Sequence, residues 1–207
     1  GMTSEVRTAM EESVEALRQA GAECVEVDLP YSQEALAVYY VLVPCEVSAN
    51  MSRFDGIRYG HREQAETLLE VYERSRHSGL GAEVRRRILI GTYALSKGYV
   101  DAYYRQARKV QTLIRQGYAQ AFQNVDVLLM PTATSVAYKR GEKTADPLEM
   151  YLGDVFTVAV NVAGLPAISL PCGNRAGLPV GLQLIGAQGS DDQLLSLAAE
   201  AESRIIY

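Results

Sequence analysis

NVAGLPAISLPCGNRAGLPVGLQLIG, residues 161–186, is the stretch that decides the fold of this 207-residue chain. It contains two apolar runs separated by a turn rich in glycine, proline and asparagine. Pro166 and Pro171 bracket the first run, and proline within a sheet is confined to edge strands, strand starts and bulges. Gly173 and Gly177 supply turn geometry before the second run. The pattern therefore predicts a strand, a turn and a second strand.

The segments before this strand pair predict an α/β fold. An apolar face repeats at helical spacing over 99–123, which predicts a long helix. The run VDVLLMP at 125–131 is continuously apolar and stops at proline, as in a strand buried on both faces. A mixed sheet flanked by helices follows from this combination. Other helices are predicted over 4–21, from 32 with a kink or break at Pro44, over 62–78, from 82, over 147–160 and over 191–204, with an alternating strand at 24–29.

Residues 62–78 are charged with an apolar face that contains Leu68, Leu69 and Tyr72, which predicts an exposed helix ending near Gly79. On the long helix, the tyrosines of the apolar face, Tyr103, Tyr104 and Tyr118, are predicted to pack on something large.

Composition and charge exclude several classes of protein. Hydrophobic residues make up 48% and charged residues 22%, as in folded, water-soluble globular proteins. The net charge of −5 opposes broad binding to nucleic-acid phosphates. The three cysteines have no CxxC spacing, which predicts neither a disulfide framework nor a zinc site and fits a reducing cytoplasm. No apolar run has the length of a membrane span, and no glycine motif for nucleotides occurs.

Two charged positions are candidates for ligand binding. Asp154 lies among apolar and β-branched residues in YLGDVFTVAV, so its carboxylate needs a partner. That partner could be a structural ion pair, a helix cap or the ammonium group of a ligand. Arg85, Arg86 and Arg87 are consecutive on a predicted helix, where successive side chains point about 100° apart, so at least one should turn inward. An inward arginine could hold a carboxylate through two parallel hydrogen bonds.

Cys172 is the thiol whose position most resembles that of a nucleophile, because it follows a predicted strand and precedes Gly173. A thiol nucleophile requires an activating base. The two histidines, His61 and His77, both lie in polar segments. We therefore expect Cys172 to be a small core residue, and we expect no metal site at these histidines.

Five long stretches together resemble a known family. They are SRFDGIRYG (52–60), EVRRRILIGTYALSKGYVDAYYRQARKVQTLI (83–114), DVLLMPTAT (126–134), DPLEMYLGDVFTVAVNVAGLPAISLPCG (146–173) and GLPVGLQLIG (177–186). In order and spacing they are similar to the C-terminal half of the glutaminase component of the aspartyl/glutamyl-tRNA amidotransferases, within the amidase signature family. The strand pair is shared by amidases in general, whereas the first two stretches indicate the tRNA-dependent branch.

The resemblance implies a function and a site. Members hydrolyse glutamine and pass the ammonia to a partner component, which uses ATP to convert Glu-tRNA(Gln) or Asp-tRNA(Asn) to Gln-tRNA(Gln) or Asn-tRNA(Asn). Asp154 is similar to the acid that holds the amino group of glutamine, Arg87 to the arginine that holds its carboxylate, and Tyr39 to a tyrosine of that pocket. The implied partners are the other two amidotransferase subunits (B and C), with tRNA bound through the complex, in the cytoplasm and without a membrane. ATP and Mg²⁺ are expected at one of those partners, and no cofactor in this chain.

The family's catalytic Ser/cis-Ser/Lys triad belongs to its N-terminal half, in a Gly/Ser-rich signature that forms an oxyanion hole. This chain has no Ser-Ser pair, and its lysines lie in segments similar to non-catalytic parts of the family. We therefore expect residues 1–207 to form a single partial domain that is inactive alone, because a serine without its base is inert. The alternatives are a portion of a general amidase acting on a small amide, and a non-catalytic module that self-associates or binds partners through apolar surface.

Overall fold

The computed structural model describes residues 1–142 and 150–205. Its internal contacts divide the chain into two compact units. The first unit contains Gly1–Leu36 and Gln111–Tyr207, and the second contains Ala37–Val110. Both boundaries fall inside helices, so no linker in the sequence marks them. The expectation of a single partial domain over 1–207 stays a prediction.

The described elements alternate between helices and a small group of strands, which confirms the α/β class. In chain order they are α1 (Ser4–Gln19), a 3-10 turn (Ser32–Glu34), α2 (Ala35–Met51), α3 (Leu68–Gly79), α4 (Ala82–Leu95), a π-helical turn (Asp101–Arg105), α5 (Gln106–Ala121), β1 (Leu128–Pro131), a second 3-10 turn (Leu152–Asp154), α6 (Val155–Ala163), β2 (Ala167–Arg175), β3 (Leu178–Ile185) and α7 (Asp191–Arg204). The predicted strand pair and the predicted last helix are confirmed.

The three described strands form one antiparallel sheet in the order β1–β3–β2. The β2–β3 hairpin turns at Ala176 and Gly177, whose φ angles are 53° and 80°. Two positive φ angles in a two-residue turn match the right-handed twist of the strands. Pro171 lies in β2, at the edge of this described sheet, and the pairing shifts between Pro171 and Asn174. A proline at an edge leaves no ladder hydrogen bond unmade.

Helices α1 and α7 cover one face of the sheet and form the main core of the first unit. Alternate residues of β2, such as Leu170 and Cys172, face these helices because strand side chains alternate with a period of two. Leu182 on the central strand is fully buried. Burying one such side chain contributes roughly 1.5–3 kcal/mol, so this layer supplies much of the unit's stability. The other buried members of the cluster are Val6, Ala9, Met10, Val180, Leu184, Leu194, Ala198, Ala201 and Ile205.

Helices α2 and α4 approach each other closely within the second unit. A Cβ on Gly91 would lie 1.9 Å from the carbonyl oxygen of Pro44, so only glycine fits there. The hydroxyls of Ser48 and Thr92 are 2.9 Å apart and join the same two helices. Pro44 lies inside α2, which continues to Met51, so the predicted break in this helix does not occur. Proline in a helix interior costs about 3 kcal/mol, and α2 tolerates it at the point where Gly91 of α4 approaches.

One local prediction is wrong for a reason that lies outside the local sequence. Residues 24–29 form no strand and pair with no described strand, because an alternating pattern forms a ladder only where a partner edge is present. On α3, Leu68 and Leu69 are 63% and 66% exposed, in keeping with the exposed helix predicted over 62–78, and the buried residues are Val71 and Ser75. The hydroxyl of Thr67 accepts from the backbone of Glu70, so α3 begins at Leu68, and the two leucines precede its buried stripe.

The expectation that the tyrosines of the long helix pack on something large holds for Tyr118, which is buried, but not for Tyr103. Tyr103 is exposed, and its nearest aromatic contacts are Tyr93 and Tyr99, with ring centroids 6.2 Å and 6.1 Å away. The long helix begins with a π-helical turn, which rotates its first residues away from the face that Tyr118 buries.

Two further expectations are tested only in part. The predicted helix start at Pro147 lies outside the described residues, and the described portion is helical over Val155–Ala163. Within residues 1–142 and 150–205, no helix has both the length and the apolar character that crossing a membrane requires.

Candidate functional site

Helix α4 gives its consecutive arginines different environments. The Arg86 side chain is 50% exposed, whereas that of Arg87 is 28% exposed. Arg85 donates from Nη1 to Nδ1 of His77 at 3.0 Å on exposed surface. The difference agrees with the expectation that one arginine turns inward, and Arg87 is more buried than Arg86.

Glu83 holds both Arg86 and Arg87 from one turn earlier on α4. Nε of Arg87 donates to one carboxylate oxygen at 3.0 Å, and Nη1 of Arg86 donates to the other at 3.0 Å. Burial alone would lower the pKa of Arg87, but the hydrogen bond and the charge of Glu83 outweigh burial and raise it. The guanidinium therefore stays charged across the ordinary pH range. Our sequence reasoning missed Glu83, although its spacing of four residues from Arg87 is a visible signal.

Two tyrosines of α2 complete this cluster. The Cζ atom of Arg87 lies 5.9 Å from the centroid of the Tyr40 ring, and Tyr39 meets Tyr40 edge to face at 5.3 Å and 79°. A guanidinium over an aromatic face gains about 0.5–2 kcal/mol, depending on how far it is desolvated. The second unit thus brings the predicted residues Tyr39 and Arg87 into one cluster, which also contains Tyr40. Tyr40 was not predicted as a member.

Asp154 belongs to the first unit, where it ends a 3-10 turn and precedes the first residue of α6. Its backbone carbonyl accepts from Oγ1 of Thr157 at 3.1 Å. The side chain is exposed, so the expected burial among apolar residues is wrong. Its position before the helix explains this, because the buried residues of α6 begin one turn later, at Val158. Among the described residues, its carboxylate has neither an ion pair nor a capping hydrogen bond.

Cys172 is a core residue, as expected. It is buried against α1, and burial raises the pKa of its thiol, although a hydrogen bond with Ser13 and the charge of Arg175 act in the opposite direction. A protonated, buried thiol is a poor nucleophile. His61 is exposed and contacts Glu63 at 2.8 Å. Across the part of the chain that the structure describes, no group of three or more His, Cys, Asp or Glu side chains could hold a metal ion.

An open depression of about 510 Å³ lies on the second unit, lined by Glu63, Glu73, Arg74, His77 and Ser78. Its lining carries charges of both signs from α3 and the segment before it. It contains none of the three predicted site residues. The Arg87 cluster, and not this depression, is therefore the better candidate for a carboxylate ligand.

The sequence pattern and the fold are those of one protein family. The sequence profile described as Amidase matches residues 1–195. The chain therefore belongs to the amidase family.

Within the amidase family, the chain is similar to the A subunits of glutamyl-tRNA(Gln) amidotransferases. The A subunit of glutamyl-tRNA(Gln) amidotransferase from Hahella chejuensis is 52% identical over 197 residues, which are 95% of this chain and 41% of the relative. Its counterpart in Synechococcus elongatus is 55% identical over 192 residues, covering 92% of this chain and 40% of the relative. These matches confirm the resemblance that the five stretches indicated. The chain spans about two fifths of the length of the curated relatives it matches.

A solved structure agrees with these relatives. The crystal structure of the same amidotransferase component from Thermotoga maritima matches with a TM-score of 0.69 and 37% identity, covering 93% of this chain and 37% of that chain. The backbone arrangement described above is therefore similar to part of that protein.

Proposed function

We propose that this chain is a portion of the glutamine-hydrolysing component of a tRNA-dependent amidotransferase. That component releases ammonia for the conversion of Glu-tRNA(Gln) or Asp-tRNA(Asn) to Gln-tRNA(Gln) or Asn-tRNA(Asn). The observation that carries this proposal is 52% identity over 95% of the chain to its counterpart in a glutamyl-tRNA(Gln) amidotransferase.

Arg87 and Tyr39 are proposed to receive the α-carboxylate end of glutamine. The half-buried guanidinium of Arg87 is permanently charged, and a carboxylate can accept two parallel hydrogen bonds from such a group. The aromatic rings of Tyr39 and Tyr40 next to it exclude water from one side and so strengthen the attraction.

Asp154 is proposed to receive the ammonium group of the same glutamine. Its exposed carboxylate has no described ion pair to break before a ligand binds. An ammonium group supplies up to three hydrogen-bond donors to such a carboxylate. Recognition of both ends of the amino acid would distinguish free glutamine from a simple amide.

The catalytic step is proposed to require polypeptide outside these 207 residues. Amide hydrolysis by this family uses a serine nucleophile, a lysine that supplies basicity, and backbone amides that hold the oxyanion. No Ser-Ser pair occurs in this sequence. The chain's own residues would therefore bind and orient glutamine, and the chain alone would release no ammonia.

The rest of the complex follows from the same proposal. The B and C subunits are the expected partners, and tRNA, ATP and Mg²⁺ would bind through the assembled complex in the cytoplasm. A general amidase is the second candidate, because the structure of an amidase matches this chain with a TM-score of 0.77 at 26% identity. A self-associating module is the third, supported by the exposed Tyr93, Tyr99 and Tyr103 rings.

The test is to join this chain to the upstream portion of the Hahella chejuensis relative and to produce the hybrid with the B and C subunits. We expect ammonia release from glutamine and formation of Gln-tRNA(Gln) from Glu-tRNA(Gln). Arg87→Ala should raise KM for glutamine about tenfold or more, because a hydrogen-bonded charge is lost. Arg204→Ala, on an exposed arginine of α7 with a similar helical partner, should change KM by less than about threefold.

The possible contrary results separate the candidates. A hybrid that hydrolyses small amides but neither associates with the B and C subunits nor forms Gln-tRNA(Gln) supports the general amidase. Ammonia release by the 207-residue chain alone, abolished by Cys172→Ala, would overturn the assignment of catalysis to other polypeptide.

A further inference from the structure

We propose that Glu83 is a positioning residue, which fixes the Arg87 guanidinium so that its two terminal nitrogens are presented to a carboxylate ligand. This inference rests on the proposed function insofar as the carboxylate is that of glutamine. The fixed orientation itself is a property of α4 and can be measured without any ligand.

The hydrogen bond between Arg87 and Glu83 selects one edge of the guanidinium. An arginine offers two such edges, one that includes Nε and one formed by the two terminal nitrogens. Nε donates to Oε1 of Glu83 at 3.0 Å, and the Tyr40 ring lies 5.9 Å from Cζ. One edge is thus occupied by Glu83, and an aromatic ring lies beside the guanidinium plane. The edge that this hydrogen bond leaves for a bidentate contact is the terminal one.

Glu83 is itself held in place on both oxygens. Oε1 accepts from Arg87, and Oε2 accepts from Nη1 of Arg86 at 3.0 Å. All three residues lie on α4, three and four positions apart, where side chains are neighbours. A free arginine side chain has considerable rotamer entropy to lose on binding. Holding Arg87 before the ligand arrives reduces that loss and improves affinity.

The charges of this triad also favour a carboxylate ligand. Glu83 alone would cancel the charge of Arg87 and repel an incoming carboxylate. Arg86 restores the balance, because two positive charges and one negative charge leave a net charge of +1. The triad therefore orients Arg87 without neutralising the site. An ordinary helix-stabilising pair at this spacing would need no third member.

The test uses the 207-residue chain with ¹⁵N-labelled arginine, followed by NMR. The Nε–H signal of Arg87 is assigned by its loss in Arg87→Lys. The expected signal is sharp and protected in the unmodified chain, and broad in Glu83→Ala. Glu83→Gln keeps an acceptor oxygen and should retain the sharp signal. Glu200→Ala, which removes a similar helical partner of Arg204 on α7, is the matched control and should leave the Arg87 signal unchanged.

Two ligands then test the carboxylate edge. Glutamine should shift the Arg87 signal, and 4-aminobutyramide, which has the same amine and amide but no carboxylate, should not. Glu83→Ala should weaken the binding of glutamine by about tenfold or more, and Glu83→Gln by less than about threefold. Unchanged backbone spectra show that each variant is folded.

Three outcomes would overturn the inference. They are an Arg87 signal that stays protected in Glu83→Ala, equal responses to glutamine and 4-aminobutyramide, and no response to glutamine at its solubility limit. The proposed function fails separately, if the hybrid amidotransferase is inactive while these titrations give the expected results. If the hybrid is active and Glu83→Ala leaves its KM for glutamine unchanged, Glu83 has no positioning role. The proposed function would still hold.

Discussion

The sheet of the first unit and the α2–α4 helix pair of the second unit reach close packing by different means. In the sheet, Leu170 and Leu182 present large apolar side chains to α1 and α7. In the helix pair, the backbones meet at Gly91 and Pro44, where no side chain intervenes. The sheet therefore depends on filled volume, whereas the helix pair depends on a missing side chain. Substitutions of opposite kinds should damage the two regions.

The two regions also differ in the apolar surface they leave exposed. On α4, Leu89 is 70% exposed, and Tyr93 is an exposed residue whose ring lies 4.4 Å from that of Tyr99. On the central strand β3, Leu182, Leu184 and Ile185 are buried. The second unit thus carries both the proposed carboxylate site and a solvent-exposed apolar surface. Self-association of the chain stays a prediction that this surface makes reasonable.

The largest expected effect is the loss of volume in the sheet. Leu182→Ala should lower the free energy of unfolding by about 2–5 kcal/mol, because the side chain is fully buried and its neighbours cannot close the cavity. Leu195→Ala, on an exposed position of α7, is the matched control and should change it by less than about 0.5 kcal/mol. Urea unfolding measures both. Equal effects of the two variants would show that the sheet does not depend on filled volume.

The converse change should damage the helix pair. Gly91→Ala places a methyl group 1.9 Å from the Pro44 carbonyl, so α2 and α4 must separate, at a cost of about 1–3 kcal/mol. Gly153→Ala is the control, because a Cβ there meets no atom within 4 Å. Amide hydrogen exchange in α2 and α4 locates the change. Exchange rates there as slow as in the control would mean that the close approach is not needed.

The sheet and the helix pair also show how much of the fold could be predicted from the sequence. The hairpin was predictable because its prolines and glycines restrict the backbone locally. Helix α7 was predictable because its helical spacing of apolar residues is contained within residues 191–204. The strand at 24–29 was predicted wrongly, because its partner edge is not a local property. Gly91 carries no local signal either, since a glycine at a close approach and a glycine in a flexible segment look the same in sequence.

The candidate site was predictable to a similar extent. Helical geometry alone indicated that one of three arginines turns inward, and the family resemblance selected Arg87. Glu83 has a visible spacing, but many such pairs occur on helix surfaces and contribute little. Only the side-chain contacts distinguish it. The exposure of Asp154 was missed because it depends on where the 3-10 turn gives way to α6, a boundary that sequence patterns locate poorly.

The two units also differ in how they raise the pKa of a tyrosine, which affects stability at high pH. Burial raises the pKa of Tyr118 in the first unit to about 12, whereas a hydrogen bond with Tyr99 is the main cause that raises the pKa of the exposed Tyr93 to about 12. A raised pKa means that the folded state favours the neutral phenol. The associated stability is present below pH 10, the unfolded value, and is lost as the pH rises toward 12.

For Tyr118 this loss should be about 2 kcal/mol between those pH values. Tyr118→Phe should remove most of the loss, and Tyr93→Phe should remove little, because solvent screens an exposed pair. Unfolding free energies measured across this pH range decide the point. A Tyr118→Phe variant that loses stability as steeply as the unmodified chain would assign the effect to other groups.

The smallest expected effect is in the β2–β3 turn, where the sheet contains a local strain that a substitution can relieve. Ala176 has a φ of 53°, in the left-handed region that disfavours a Cβ, whereas Gly177 beside it has a φ of 80° at no such cost. Ala176→Gly should therefore raise the free energy of unfolding by about 0.5–1 kcal/mol, and Gly177→Ala should lower it by a similar amount. Urea unfolding of the two variants, which exchange the same two residue types at adjacent positions, measures the difference. If both lower the stability, the entropy that glycine adds to the unfolded chain outweighs the strain at Ala176, and the turn is not a weak point of the sheet.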